Sequence, residues 1–487
     1  MRKYEVVLRP VCILLLFTAA AMLISGYHMG IEDQDVYLAA VHKSLDPALY
    51  PVNSVFFTEQ MKSSLFIQAL AGSIRLSGLP VAWVLWLWQV GAIFLVLLGC
   101  WKVAAACFRS EAGRWAGVLL VTVLLTLPIA GTSLFLVDTY LHPRAPATGA
   151  ILMALAACLR KQWIRCGAWL MVAGMMHPLM ALFGVSLVVF VGVEPRAKWQ
   201  SGKAATALLL PLGLGGHPSA AWKEAILDRR YYFPLKWAWY EWLGLAAPVA
   251  LVWWFGRIAR QNQMATLERL ARRSVAFAGF QFAVGALMTM LPGTEQAAAL
   301  QPMRWLHIFY FLFLLMAGGL AGEFLLRGQA WRWLVVFLPL AGTMYYVQRD
   351  SFQKSDHVEW PGRSAKNPWA KAFLWCEANT PEDAVFAVDP DYMKRHGEES
   401  YGIRAMAMRS VLAEDEKDPG AATVFPALAP LWQEQVHAQR GIEGFTGEQF
   451  HQLRVRYGVS WTVLPATAEV PLECPYRNEG AEVCKVE

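Results

Sequence analysis

Residues 11–35 read VCILLLFTAAAMLISGYHMGIEDQD, and the fold follows from this stretch. Val11–Gly26 is an uncharged apolar run behind Arg2, Lys3 and Arg9, and just beyond it stand Glu32, Asp33 and Asp35. A secretory leader has the same basic start. Later apolar runs and the lack of an A-x-A cleavage site instead predict an anchor helix that stays in place. Carboxylates at a membrane boundary are costly to desolvate, so they either face water or serve a site.

Working outward, the whole chain has a membrane composition. Its 487 residues are 56% hydrophobic and 16% charged, with 22 Trp, against about 25% charge in ordinary soluble domains. The net charge of +6 is spread over short loops, so it reads as an orientation signal and excludes a nucleic-acid footprint. The eight cysteines form no CxxC pair and no metal-like cluster with histidine.

Apolar runs recur at 11–30, 81–108, 115–137, 146–159, 166–176, 179–193, 203–216, 241–256, 274–292, 303–322 and 331–347. A full span needs about 20 residues, so the shorter runs must be half-helices or lie inside a bundle. The break at His177-Pro178 is tolerable only where protein or a water-filled cavity covers it. With the N-terminus in the cytoplasm, every inside segment is basic: Arg2/Lys3/Arg9, Arg109/Arg114, Arg160/Lys161/Arg165, Arg196/Lys198/Lys203, Arg257–Arg273 and Arg327/Arg332. The outside segments are then 31–80, 138–145, 177–178, 217–240, 293–302 and everything after about 348. Residues 1–347 are therefore expected to form a membrane domain of about eleven helices, and 348–487 an extracytoplasmic α/β domain. In the latter, Asn367–Thr380, Pro430–Gln439 and Thr446–Tyr457 read as helices, the last with Thr446 as N-cap. Ala384–Val388 and Val459–Leu464 read as strands. Cys474 and Cys484 flank a short loop of this external part, which predicts a local disulfide.

The candidate site residues come from the outside segments. Glu32, Asp33 and Asp35 open the first; Asp33 or Asp35 would also serve as a plain helix N-cap. Asp138, His142 and Arg144 stand at the outer end of the 115–137 run. His177 reads either as a core histidine or as a base. Arg304, a turn into its helix, either snorkels to the interface or clamps a phosphate. Arg229 and Arg230 lie in an aromatic-rich interfacial stretch and would meet an anionic lipid head group. Gly213–Gly216 sits within an apolar run, where tight helix packing is its expected role.

An acidic first external loop, basic inside loops, half-length central helices and a C-terminal α/β domain together resemble the GT-C superfamily of polyprenyl-phosphate-sugar-dependent membrane glycosyltransferases. The runs Glu32-Asp33-x-Asp35-x-Tyr37 and Leu45-Asp46-Pro47-x-Leu49-Tyr50-Pro51 also resemble a group of uncharacterised bacterial multi-spanning relatives of that superfamily. The resemblance implies an inner-membrane enzyme that moves a sugar from a polyprenyl-phosphate carrier to an extracytoplasmic acceptor, with membrane lipids around it. It implies Asp33 as the catalytic acid-loop residue, with Glu32 and Asp35 as alternatives, Asp138 assisting and Arg304 on the donor phosphate. It requires no cofactor, although a divalent metal joins such carboxylates in the oligosaccharyltransferase branch. No paired-acid motif with the enzyme families' flanking residues is present. A transporter or flippase of a lipid-linked solute, which should show an inverted repeat, and a non-catalytic envelope scaffold are the rival readings.

Overall fold

The computed structural model describes residues 2–193, 219–291 and 293–487. The run 203–216 with its glycines, and Arg196, Lys198 and Lys203, lie outside the described residues. Each remaining apolar run carries a helix. Among the described residues four are long and apolar enough to cross a membrane: Leu8–Ser25, Val81–Cys107, Trp239–Gln261 and Glu295–Leu326; three more, Arg144–Leu159, Trp163–Met176 and Pro178–Gly192, are apolar but shorter. The chain is an α-helical polytopic membrane protein with a small C-terminal sheet. Tight packing rests on small residues. A Cβ on Gly318 would come within 2.6 Å of the Ala116 carbonyl, so helices Glu111–Val123 and Trp305–Ala321 can approach backbone to backbone only with glycine there.

The 115–137 run is not one span. Its helix ends at Val123, and the remainder turns back as an antiparallel hairpin of β1 (Pro128–Ile129) and β2 (Leu134–Phe135). Gly131, at the bend, has φ +67°, and its missing Cβ leaves room for the Trp237 ring. The expected loop 31–80 is likewise largely helical, with Gln34–Leu45, Val55–Met61 and Phe66–Ser77 lying between the first two long helices.

Beyond the helix Ala330–Ser351 the C-terminal part begins. Its strands are β3 (Val385–Val388), β4 (Ser410–Val411), β5 (Trp461–Pro465), β6 (Tyr476–Arg477) and β7 (Ala481–Lys485), in the order β4-β3-β5-β7-β6. The β3 pairings are parallel and the β5-β7-β6 edge is antiparallel. Caps fix the surrounding helices: Asn367 accepts from the Trp369 and Ala370 amides, and Thr446 and Gln449 form a reciprocal capping box. Cys474 and Cys484 are joined as a disulfide.

This sheet domain is docked onto the first acidic segment by buried polar contacts. Arg404 donates to Asp418 at 2.9 and 2.5 Å and to Asp35 at 3.3 Å; all three side chains are buried. Asp35 also accepts the Ala405 amide, and the Tyr50 hydroxyl donates to the Arg404 carbonyl. Removing Arg404 alone would strand two buried carboxylates, an expensive loss. The docking is therefore specific, and it brings the segment 414–418 over residues 31–35.

Candidate active site

Helix ends and turns from distant parts of the chain meet around a cleft of about 680 Å³. The Gly30–Asp33 turn supplies Glu32 and Asp33, the segment after β2 supplies Asp138 and His142, and Arg144 opens the next helix. Arg229, Tyr231 and Tyr232 come from the turn after helix Ala220–Leu227, and Gln301 and Arg304 from the turn before helix Trp305–Ala321. Lys417, just before helix Asp418–Val424, reaches in from the sheet domain.

Asp33 is the hub. It occupies the N-cap position of helix Gln34–Leu45, yet its side chain makes no capping hydrogen bond. The carboxylate instead faces His142 Nε2 at 3.3 Å, Lys417 Nζ at 3.4 Å and Arg144 Nη1 at 3.9 Å. The Arg144 backbone N–H donates to His142 Nδ1 at 3.0 Å, which places the ring proton on Nε2, where it donates to Asp33. Burial and the Arg144 charge hold the His142 pKa down to about 4, so the ring is neutral and acts on Asp33 through its hydrogen bond. Burial opposes the charge on Asp33, but Lys417, His142 and Arg144 outweigh it and keep the carboxyl well below the usual range. Lys417 shows the converse: burial opposes its charge, and Glu32 and Asp33 raise its pKa well above that of an ordinary lysine.

A second wall is cationic. Arg144 is spent on Asp138, its Nη2 lying 3.0 and 2.9 Å from the two carboxylate oxygens. Arg229 donates to the Tyr231 hydroxyl at 2.7 Å and to the Glu416 carbonyl at 2.6 Å, with no carboxylate in ion-pair distance among the described residues. Arg304 likewise has no ion pair among the described residues, and its buried Nε has no hydrogen-bond partner. Gln301 braces this wall by donating to the Tyr232 hydroxyl at 2.7 Å. A guanidinium with free donors in a half-enclosed cleft is suited to a phosphate or carboxylate.

Glu32, Asp33, Asp138, His142, Arg144, Arg229 and Arg304 thus share one cleft. Three of the expected residues do not line it. Asp35 is buried and turned into the Arg404 docking contact, because residues two apart at the start of a helix point to different sides. His177 caps helix Pro178–Gly192 through Met180 N at 3.5 Å, with its ring stacked behind His142 at 6.1 Å. Arg230 is exposed and donates to the Lys236 carbonyl at 3.0 Å. Lys417, in contrast, was not singled out by sequence. The carboxylates could in principle hold a metal, but Glu32 and Asp33 are already engaged by Lys417 and Asp138 by Arg144. A cation would have to displace those partners, so the donor set does not fit one.

No protein-family model matches the chain, and no curated protein matches it. Among solved structures, the crystal structure of ArnT from Cupriavidus metallidurans bound to undecaprenyl phosphate is similar over 99% of this chain and 98% of that one, at 12% identity and a TM-score of 0.42.

Proposed function

We propose that the chain is a GT-C-type glycosyltransferase of a bacterial inner membrane, moving a sugar from a polyprenyl-phosphate carrier to an extracytoplasmic acceptor. The observation that carries the reading is the cleft itself, with an ionised carboxylate, Asp33, on one wall and the uncompensated Arg304 and Arg229 on the other. The apolar helices beneath it would accommodate a lipid tail while its phosphate meets the two arginines.

In the proposed reaction the sugar C1–O bond to the phosphate breaks as the acceptor oxygen bonds to C1. The leaving oxygen stays on the lipid phosphate, and its growing negative charge is met by Arg304 and Arg229. That departure needs no proton. The acceptor hydroxyl loses its proton as its bond forms, and Asp33 is the group to orient that hydroxyl and receive the proton. A carboxylate clamped by Lys417 is a weak base, so its larger contributions are orientation and negative charge beside the cationic sugar. The extracytoplasmic placement of this cleft and of the sheet domain rests on the basic inside loops.

The test uses the full chain in nanodiscs, a panel of labelled polyprenyl-phosphate hexoses and pentoses, and an envelope extract as acceptor source. Wild type should release polyprenyl phosphate from at least one donor. Asp33→Asn should lose about 100-fold or more of that rate, and Arg304→Gln should weaken donor binding. Turnover by Asp33→Asn at the wild-type rate would overturn the reading.

A further inference from the structure

A second cavity, of about 170 Å³, lies at the seam where the end of the first helix meets the segment 356–366 and Tyr401 of the sheet domain. It shares no lining residue with the active-site cleft. Its volume is several times the roughly 30 Å³ that one water occupies in the liquid, so it has room for a small ring.

The lining is unusual for a simple packing gap. Tyr27 is 1% exposed, and its buried hydroxyl has no hydrogen-bond partner. Buried polar groups are ordinarily satisfied, and an orphan in a cavity wall points to a missing partner. Glu359 accepts from the Met29 amide at 2.9 Å through one oxygen and from the Tyr401 hydroxyl through the other. Each oxygen keeps a further acceptor position. Burial raises the Glu359 pKa to about 7, so near neutrality it can donate as well as accept. At the mouth stands Trp360, 41% exposed, backed by the Trp86 ring at 5.5 Å. Lys366 is paired with Asp356 at 2.5 Å, which balances part of the charge around the opening.

We propose that this cavity is a binding site for one neutral sugar ring, stacked on Trp360 with its hydroxyls against Tyr27 and Glu359. An aromatic face beside a phenol and a carboxyl matches a ring that has an apolar face and a hydroxylated edge. The lining carries two acids, Asp356 and Glu359, and two bases, Lys366 and Arg363, so no net charge selects an ion over a neutral ring. The site does not rest on the transferase reading; if both hold, it would grip a saccharide part of the acceptor away from the reacting bond.

The experiment is saturation-transfer NMR on the full chain in nanodiscs with glucose, mannose, galactose, N-acetylglucosamine and their common disaccharides, in an Asp33→Asn background so that no turnover intervenes. At least one sugar should bind with a Kd of about 1–10 mM. Trp360→Ala should weaken it by about tenfold or more. Tyr27→Phe removes only the unpartnered hydroxyl, keeps the ring's packing and should also weaken binding. The absence of binding by every sugar in the panel would overturn the proposal. So would equal binding by both variants, or a preference for inorganic phosphate.

Discussion

Replacing Lys417 with Met tests whether the sheet domain sets the charge state of Asp33. Lys417 Nζ lies 3.4 Å from Asp33 Oδ1 and also pairs with Glu32. At 3.4 Å, unit charges attract by about 5 kcal/mol at an effective dielectric of about 20 and by about 1 kcal/mol in bulk water. Lys417 is buried but the Asp33 side chain is 36% exposed, which moves the pair toward the screened end, so we take about 1–2 kcal/mol, or about one pKa unit. The Asp33 pKa is depressed in the folded protein, so the pair stabilises the fold at neutral pH and this contribution is lost as pH falls through the folded value. In Lys417→Met that loss should begin about one unit higher. The assay is the infrared carbonyl band of protonated Asp33, assigned by subtracting Asp33→Asn and followed through an acid titration. His142, Arg144, Glu32, Asp138 and Glu416 remain in place and act on both proteins alike. Lys417→Arg should keep the wild-type titration. If Asp33 protonates at the same pH in Lys417→Met as in wild type, Lys417 does not control it and the electrostatic account of the cleft fails.

Arg404→Met should destabilise the protein by about 3–5 kcal/mol, since it leaves Asp35 and Asp418 buried without their cation; thermal unfolding in nanodiscs checks this, and an unchanged midpoint refutes it. Gly402→Ala drives a Cβ onto the Asp35 side chain and should lower the midpoint by the equivalent of about 1–3 kcal/mol. The Glu359 pKa, raised to about 7, implies a contribution to stability that is full below the ordinary glutamate value and lost as pH rises through about 7. Glu359→Gln should therefore flatten the stability profile between about pH 4.5 and 7, the window between the two values, and a profile as steep as wild type would exclude Glu359 as its source. Cys474 and Cys484 should resist alkylation until a reductant is added; early labelling of the pair would contradict the disulfide.

Much of the scaffold is legible in the sequence because local rules dominate there. A run such as Val81–Cys107 is helical because its backbone has no other way to satisfy its hydrogen bonds in lipid. Asn367 and Thr446 begin helices because their side chains satisfy the first free amides. The hairpin within 115–137 was not legible: apolar composition alone does not separate a helix from a short buried β-turn, and Pro128 and Gly131 are the local hints.

The site divides in the same way. The sequence by itself placed Asp33, Asp138, His142, Arg144 and Arg304 on one side of the bundle, because alternating basic loops fix which helix ends lie together. The choice between Asp33 and Asp35 needed the turn geometry, since both are acids on one short segment and only their rotation about the helix start sends one to the cleft and the other to Arg404. Lys417 needed the whole tertiary structure. It pairs with Glu32 across 385 residues of chain, a distance over which no periodicity or cap carries information. Its place is decided by the buried Arg404 contacts that dock the sheet domain, and those exist only once both parts have folded against each other.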